Sequence, residues 1–350
     1  MKKVIGFVAP ITIYFVVEYF GGPLWGMVAG CVLSVIGLIA SRVRGGSLTW
    51  GSFGDLGLVV LLGLVDIATE RLGRAGIGEA AFALIMFGLL RLCIAGKIDM
   101  IPTESVPMLK RIYANPFNRS NLADAQRRMS WWCLAVAAVY LCVAVGKPGS
   151  AMQWIDSYAL VIIGAAFFAT ELVLNRMRMR KYRHCEWVPL VDEQANVLGN
   201  CPRPLVHNGS HWLHPVVHLH IISNRRLLLQ LRPITKKIQP GKWDTAVGGH
   251  IAAGEKIEDA LGREAWEETG IRGFRAQLCK RYEWRCEAEN EYVFSFCTEH
   301  DGPFVPRNGG EVDELRLWSA DELRDALGRG IFTPNLEDEL KKWVLERLEQ

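Results

Sequence analysis

The stretch GHIAAGEKIEDALGREAWEETGI, residues 249–271, constrains the fold of this chain more than any other. If residues 257–269 form a helix, Glu264, Glu267 and Glu268 fall at i, i+3 and i+4 and share one face. Three carboxylates crowded there repel one another unless a cation lies between them. Ligands that are all oxygen suit a hard divalent ion such as Mg²⁺. Arg263, four residues before Glu267, is placed to hold part of that cluster. Gly270 predicts where the helix stops, because glycine takes up the left-handed C-cap at little cost. A solvated acidic face would account for a bare EAWEE, but not for the glycines and arginine fixed around it.

At 350 residues the chain is long enough for two domains, and its hydropathy divides accordingly. Half of the residues are hydrophobic and the mean hydropathy is positive. Apolar segments dominate to about residue 175 and charge dominates afterwards. Six apolar segments can be read, at 4–20, 23–40, 53–68, 77–95, 131–146 and 154–174, several near the lower length limit for crossing a bilayer. Glu18, Asp66, Glu79, Arg91 and Glu171 lie within or at the ends of them. Such groups mark a transport path when they are held inside lipid; near helix ends they reach headgroups or water instead, and that reading is preferred. No small-residue cleavage site follows the first segment, so it is not expected to be a signal peptide.

Basic residues orient the spans. Lys2, Lys3, Arg42, Arg44, Lys97, Arg127, Arg128 and the run NRMRMRKYR fall on one side, against Arg71, Arg74 and Lys147 on the other. The expectation is a multi-pass protein of a bacterial inner (cytoplasmic) membrane with both termini in the cytoplasm. It would comprise a six-helix transmembrane domain at 1–175, a basic juxtamembrane linker at 176–185 and a cytoplasmic domain at 186–350.

The net charge of +3 and the absence of a basic face interleaved with aromatics give no reason to expect nucleic-acid binding. None of the nine cysteines forms a C-x-x-C pair or a zinc-type spacing, which is compatible with a reducing compartment.

Within the polar half, 187–191 and 197–198 read as strands around an Asp-Glu-Gln turn, and 216–222 and 227–231 as a hairpin through Ser-Asn-Arg. Further strands are expected at 291–297 and 311–318. Ser319 with Glu322 reads as a capping box, and Thr333-Pro334 as the start of a last helix.

Residues 249–271 match the Nudix hydrolase signature: Gly249, Glu255, Arg263-Glu264, Ala265, Glu267-Glu268, Gly270 and Ile271 all stand in place. The resemblance implies an α/β/α sandwich with a mixed sheet after an α-helical multi-span membrane domain. It further implies hydrolysis of a diphosphate joined to another moiety, with Mg²⁺ or Mn²⁺ as cofactor. In that reading Glu264, Glu267 and Glu268 bind the ion, and Glu267, with Glu291 behind it, accepts the proton of the attacking water. Arg263 orients the carboxylates. Gly248 and Gly249 let backbone approach phosphate, and Lys236, Lys237 or Lys242 meets it, although surface lysines are the commoner explanation.

LLLQLRPITKKIQPGKWDTAVGGH further resembles the isopentenyl-diphosphate isomerase branch and its hydrolase relatives. That branch holds a divalent ion with two histidines seven apart, a histidine after the glycines and an E-x-E pair. His207, His214, His250, Glu289 and Glu291 occupy the matching positions. Where the isomerases have a catalytic cysteine this chain has Gly248, which argues against carbon acid/base chemistry. His218 and His220 alternate along a strand and share a face, either as structural residues or as ligands. Residues 1–175 resemble the intracellular septation protein A group of bacterial inner-membrane proteins. The partners expected are a diphosphate-containing small molecule and the bilayer. The alternatives are an isomerase-like enzyme and a ligand-sensing Nudix domain that regulates a transporter.

Overall fold

A computed structural model describes residues 10, 13–14, 16–18, 20–43, 53–72, 76–96, 107–146, 150–287, 289–307 and 309–349. The chain divides into two compact units, Met1–Arg183 and His184–Gln350.

The first unit is helical. Its helices are α1 (Pro23–Val43), α2 (Gly54–Leu72), α3 (Ile77–Ile94), α4 (Pro107–Ala114), α5 (Pro116–Val145) and α6 (Ser150–Lys181). Among the described residues four helices are long and apolar enough to cross a membrane: α1, α3, α5 and α6. The apolar part of α2, Leu56–Ala68, is too short. Most of the segment expected at 4–20 lies outside the described residues, as do Lys2, Lys3, Arg44, Arg74, Lys97 and Lys147. The segment expected at 131–146 is only the second half of α5. Hydropathy sees the apolar residues, but the helix begins where Asn115 Oδ1 accepts the N–H of Phe117 at 2.9 Å and Pro116 takes the first helical position. The linker expected to begin at 176 is likewise helical to Lys181, since Arg, Met and Lys are good helix formers and basic side chains suit a helix C-terminus.

Small residues bring α3 and α5 together: Ala80 and Ala83 pack on Val136, Ala137 and Tyr140. Two acidic groups of the apolar segments are partnered. Glu171 accepts two hydrogen bonds from Arg128, at 2.6 and 2.7 Å, which ties α6 to α5, and Tyr14 donates to Asp66.

The second unit is a sandwich. A two-stranded antiparallel sheet, β1 (Trp187–Val191) with β2 (Val197–Pro202), precedes a seven-stranded one. The latter contains β3 (His214–Ser223), β4 (Arg226–Leu231), β5 (Trp243–Thr245), β6 (Val247–His250), β7 (Gln277–Arg285), β8 (Asn290–Glu299) and β9 (Glu314–Trp318). Its order is β5-β4-β3-β8-β7, with β6 added to β3 and β9 to β4. Only β3 and β8 are parallel, so the sheet is mixed. The β3–β4 hairpin turns on Asn224 and Arg225, both at positive φ (48° and 58°), as a tight two-residue turn requires. Three short or polar strands, β5, β6 and β7, have little alternation in sequence and show only in the fold.

Strand alternation sends the two faces of β3 and β4 to different partners. Val217, Leu219, Ile221 and Leu228 pack on Ala260, Leu261 and Ala265 of α7 (Ile257–Thr269). Leu227 and Leu229 pack on the C-terminal elements: α8 (Ala320–Ala326), α9 (Pro334–Glu339), a π turn at Leu340–Val344 and α10 (Leu345–Glu349). Ser319 closes the expected capping box with Glu322, and Thr333 caps α9 with Pro334 at its start. Leu336, wholly buried in this second cluster, carries a direct prediction. Leu336→Ala should cost about 2–5 kcal/mol, read as a lowered urea midpoint with an unchanged slope.

Candidate active site

Strand β6 separates two groups of functional side chains. It pairs with β3 so that His218 faces Gly248, Val217 faces Gly249 and Val216 faces His250. Gly249 lies against α7, and a Cβ there would sit 2.1 Å from Glu264 Cδ. Only glycine lets that carboxyl reach the strand. Gly249→Ala is therefore expected to displace Glu264, lowering both the thermal midpoint and any hydrolytic rate; a variant with an unchanged midpoint would contradict this packing.

Arg263 binds the loop before α7 to the helix. Its guanidinium donates to Glu255 at 2.9 and 3.0 Å, to Glu264 Oε1 at 2.6 Å and to the His250 carbonyl at 3.0 Å, and lies 3.6 Å from Glu267. Glu255 in turn accepts the Ala252 N–H at 2.8 Å. The Arg263 hydrogen bond holds the Glu255 carboxyl below its usual range. Burial raises Glu264, with Arg263 opposing. Glu268 is buried; burial pushes it up to about 8, although Gly248 N–H donates to it at 2.8 Å and Gln230 at 3.1 Å. Gly270 ends the helix at φ 76°.

Among the described residues, the ligand atoms that gather within 4.8 Å of one another are those of His207, His214 and His250, and of His214, Glu289 and Glu291. The glutamates of α7 are not among these groups of the described residues; Glu264 is engaged by Arg263 and Glu268 by Gly248 and Gln230. The histidine rings stand 4.9–5.5 Å apart, His214 and His250 stacked in parallel, and His207 bonds Glu289. His214 Nδ1 lies 3.0 Å from the Trp212 carbonyl. A proton placed there leaves Nε2 with a lone pair. The Nε2 atoms of His214 and His250 are buried and have no hydrogen-bond partner among the described residues. Burial lowers His214 to about 4 and His250 well below the usual imidazole range, so both rings are neutral at pH 7. Unpartnered neutral imidazoles beside two carboxylates fit a divalent cation.

Lys237 is exposed and Lys242 and Lys236 are half-buried; none forms an ion pair with the cluster among the described residues. Arg232 and Asp244, which sequence reasoning did not single out, lie nearer. They pair at 2.9 Å, and Asp244 contributes to the potential at Glu268, Glu291 and His218. Arg232 stands within the quoted LLLQLRPITKK, where its charge next to a strand end was the available signal. His218 and His220 are not part of the convergent groups; both bond Glu339 of α9, at 3.2 and 3.1 Å.

An acidic helix clamped by its own arginine onto a glycine strand of a mixed sheet defines a Nudix-type α/β sandwich. The NUDIX domain model matches residues 212–336. An uncharacterised Nudix hydrolase of Yersinia pestis is 31% identical over 168 residues, covering 47% of this chain and 89% of that protein. An isopentenyl-diphosphate Delta-isomerase of Mycolicibacterium vanbaalenii is 32% identical over 138 residues, covering 37% and 76%. A crystal structure from Deinococcus radiodurans aligns over 47% of this chain and all of its own, at 19% identity and a TM-score of 0.39. The chain belongs to the Nudix family.

Proposed function

We propose that the chain is a membrane-anchored hydrolase cleaving a diphosphate linked to another moiety. The observation that carries this reading is a pair of convergent groups that share His214: His207, His214 and His250, and His214, Glu289 and Glu291. His214 lies on β3, His250 on β6 next to Gly248 and Gly249, and Glu291 on β8. A divalent ion held there, Mg²⁺ or Mn²⁺, would supply neutralising charge for the diphosphate oxygens and a more acidic water. Gly248, where an added Cβ would meet only ordinary contacts, leaves room for phosphate near the backbone, whereas the space over Gly249 is taken by Glu264. Arg263 fixes the glycine loop through the His250 carbonyl. Glu291, within a convergent group, is better placed than Glu267 to take the water's proton, since Glu267 is half-exposed and lies 3.6 Å from the Arg263 guanidinium.

The anchoring reading takes 1–175 as the membrane domain, with 176–185 joining it to the Nudix domain at 186–350. Only 6% of the apolar window of α6 is buried within the protein, and Val161, Phe168 and Leu172 face outwards, which suits a lipid environment. Arg176, Arg178, Arg180, Lys181 and Arg183 follow the last apolar segment and support a cytoplasmic C-terminus in a bacterial inner membrane. An isomerase reading draws on the similarity to isomerases and is opposed by Gly248.

The test is the full chain in detergent with Mg²⁺ and a panel of nucleoside and isoprenoid diphosphates. Phosphate release that stops with chelator and returns with added ion is expected. An allylic isomer without phosphate release would support the isomerase reading. Silence across the panel would favour a ligand-sensing domain.

A further inference from the structure

His218 and Glu339 take no part in the chemistry described so far, yet they form a directed pair. Glu339 is 1% exposed. Its Oε2 accepts from His218 Nδ1 and His220 Nε2, and its Oε1 accepts from Ser295 Oγ at 2.6 Å. A carboxylate held at both oxygens cannot turn, so it sets the orientation of the His218 ring. His220 is sealed, whereas His218 keeps 7% exposure, and its Nε2 has no hydrogen-bond partner among the described residues.

The free edge of that ring lies beside Gly248. A Cβ placed on Gly248 would be 3.9 Å from His218 Cδ2, the atom next to Nε2, and 3.6 Å from Thr245. Both are ordinary contacts, so packing does not demand glycine here, in contrast to Gly249. Its absent side chain opens the exposed backbone onto the imidazole. The charged groups facing His218 are Glu339 from α9, Glu291 from β8 and Asp244 from β5. Burial opposes charging the ring, but these carboxylates, Glu339 foremost, prevail and raise its pKa to about 9. At neutral pH the ring therefore carries a proton on Nε2.

We propose that His218, oriented by Glu339, is the general acid of the hydrolytic reaction, donating its Nε2 proton to the bridging oxygen of a diphosphate lying over Gly248. The water oxygen bonds to phosphorus and gives a proton to Glu291. The bond from phosphorus to the bridging oxygen breaks, and that oxygen receives the proton from His218. Exchange with solvent then restores both groups. Glu339 is a positioning residue. This assignment rests on the hydrolase reading above.

The experiment is the pH profile of kcat for the full chain, His218→Gln and Glu339→Gln, on whichever diphosphate of the panel turns over fastest. The unmodified chain should lose activity on an alkaline limb as His218 deprotonates. His218→Gln should lower kcat about 100-fold, within the range for general acids, with KM little changed and that limb gone. Glu339→Gln should move the limb to lower pH. A merely structural histidine would scale the whole profile and leave the limb in place, which would overturn the assignment, as would an unchanged kcat. An unmodified chain without an alkaline limb overturns it even where the variants do not fold. No turnover by the unmodified chain overturns the hydrolase reading and this assignment together, whereas turnover indifferent to His218 overturns only the assignment.

Discussion

Glu268→Gln should lower hydrolysis about 10- to 100-fold, the scale of losing a group that supports a metal site, while making the metal-free protein more stable at alkaline pH. Glutamine retains an oxygen to accept the Gly248 N–H but has no charge to bury. The stability half follows from linkage. The folded pKa of Glu268, about 8, exceeds its usual 4.5, so the fold holds the proton more tightly than the unfolded chain does. Stability is then lost as pH rises from about 4.5 through about 8, and glutamine removes that loss. Initial rates of phosphate release, beside urea unfolding at pH 4.5 and pH 8, check both halves. Full activity in the variant would remove Glu268 from the site.

Glu339→Gln should show the opposite stability pattern, costing roughly 3–5 kcal/mol near pH 6, the scale of stranding one partner of a buried ion pair. Glu339 is held well below its usual 4.5, with burial opposing and His220 and His218 prevailing. Its contribution is present above about 4.5 and lost as pH falls. His218, raised from 6.5 to about 9, contributes fully below 6.5 and loses its contribution as pH rises through 9. The difference between the unmodified chain and the variant should therefore be widest between about pH 4.5 and 6.5 and narrow towards pH 9. Thermal melts across that range measure it, and a pH-independent difference would show that shape, not charge, stabilises the pair.

Local chemistry was legible wherever one short stretch carried it. Helix α7, its glycine stop, the β3–β4 hairpin and the caps at Ser319 and Thr333 depend on neighbours within about four residues, and each stands where residue type and spacing put it. The ends of α5 and α6 were misjudged because hydropathy measures lipid compatibility, whereas helix ends depend on capping and on polar residues with good helix propensity. Strand β7 was overlooked because its mostly exposed residues show no apolar alternation.

The spacing of seven between His207 and His214, the histidine after the glycines and the E-x-E pair named a candidate ligand set; only the fold gathers those atoms. The parallel pairing of β3 with β8 sets His214 opposite Glu291, and the β3–β6 pairing brings His250 beside them. The glutamates of α7 show the converse. Their shared helical face was readable, but that Arg263 bonds Glu264 while Gly248 and Gln230 both bond Glu268 was not.

The sequence by itself determined the family, the helix that carries the signature and the division between apolar and polar halves, because each follows from residue types at fixed local spacing. The tertiary structure alone decided which face of β6 each glycine serves, and that Glu339 lies against His218, 121 residues away in the chain. Side chains so distant have no periodicity linking them; only strand register and the packing of α9 on the sheet bring them together.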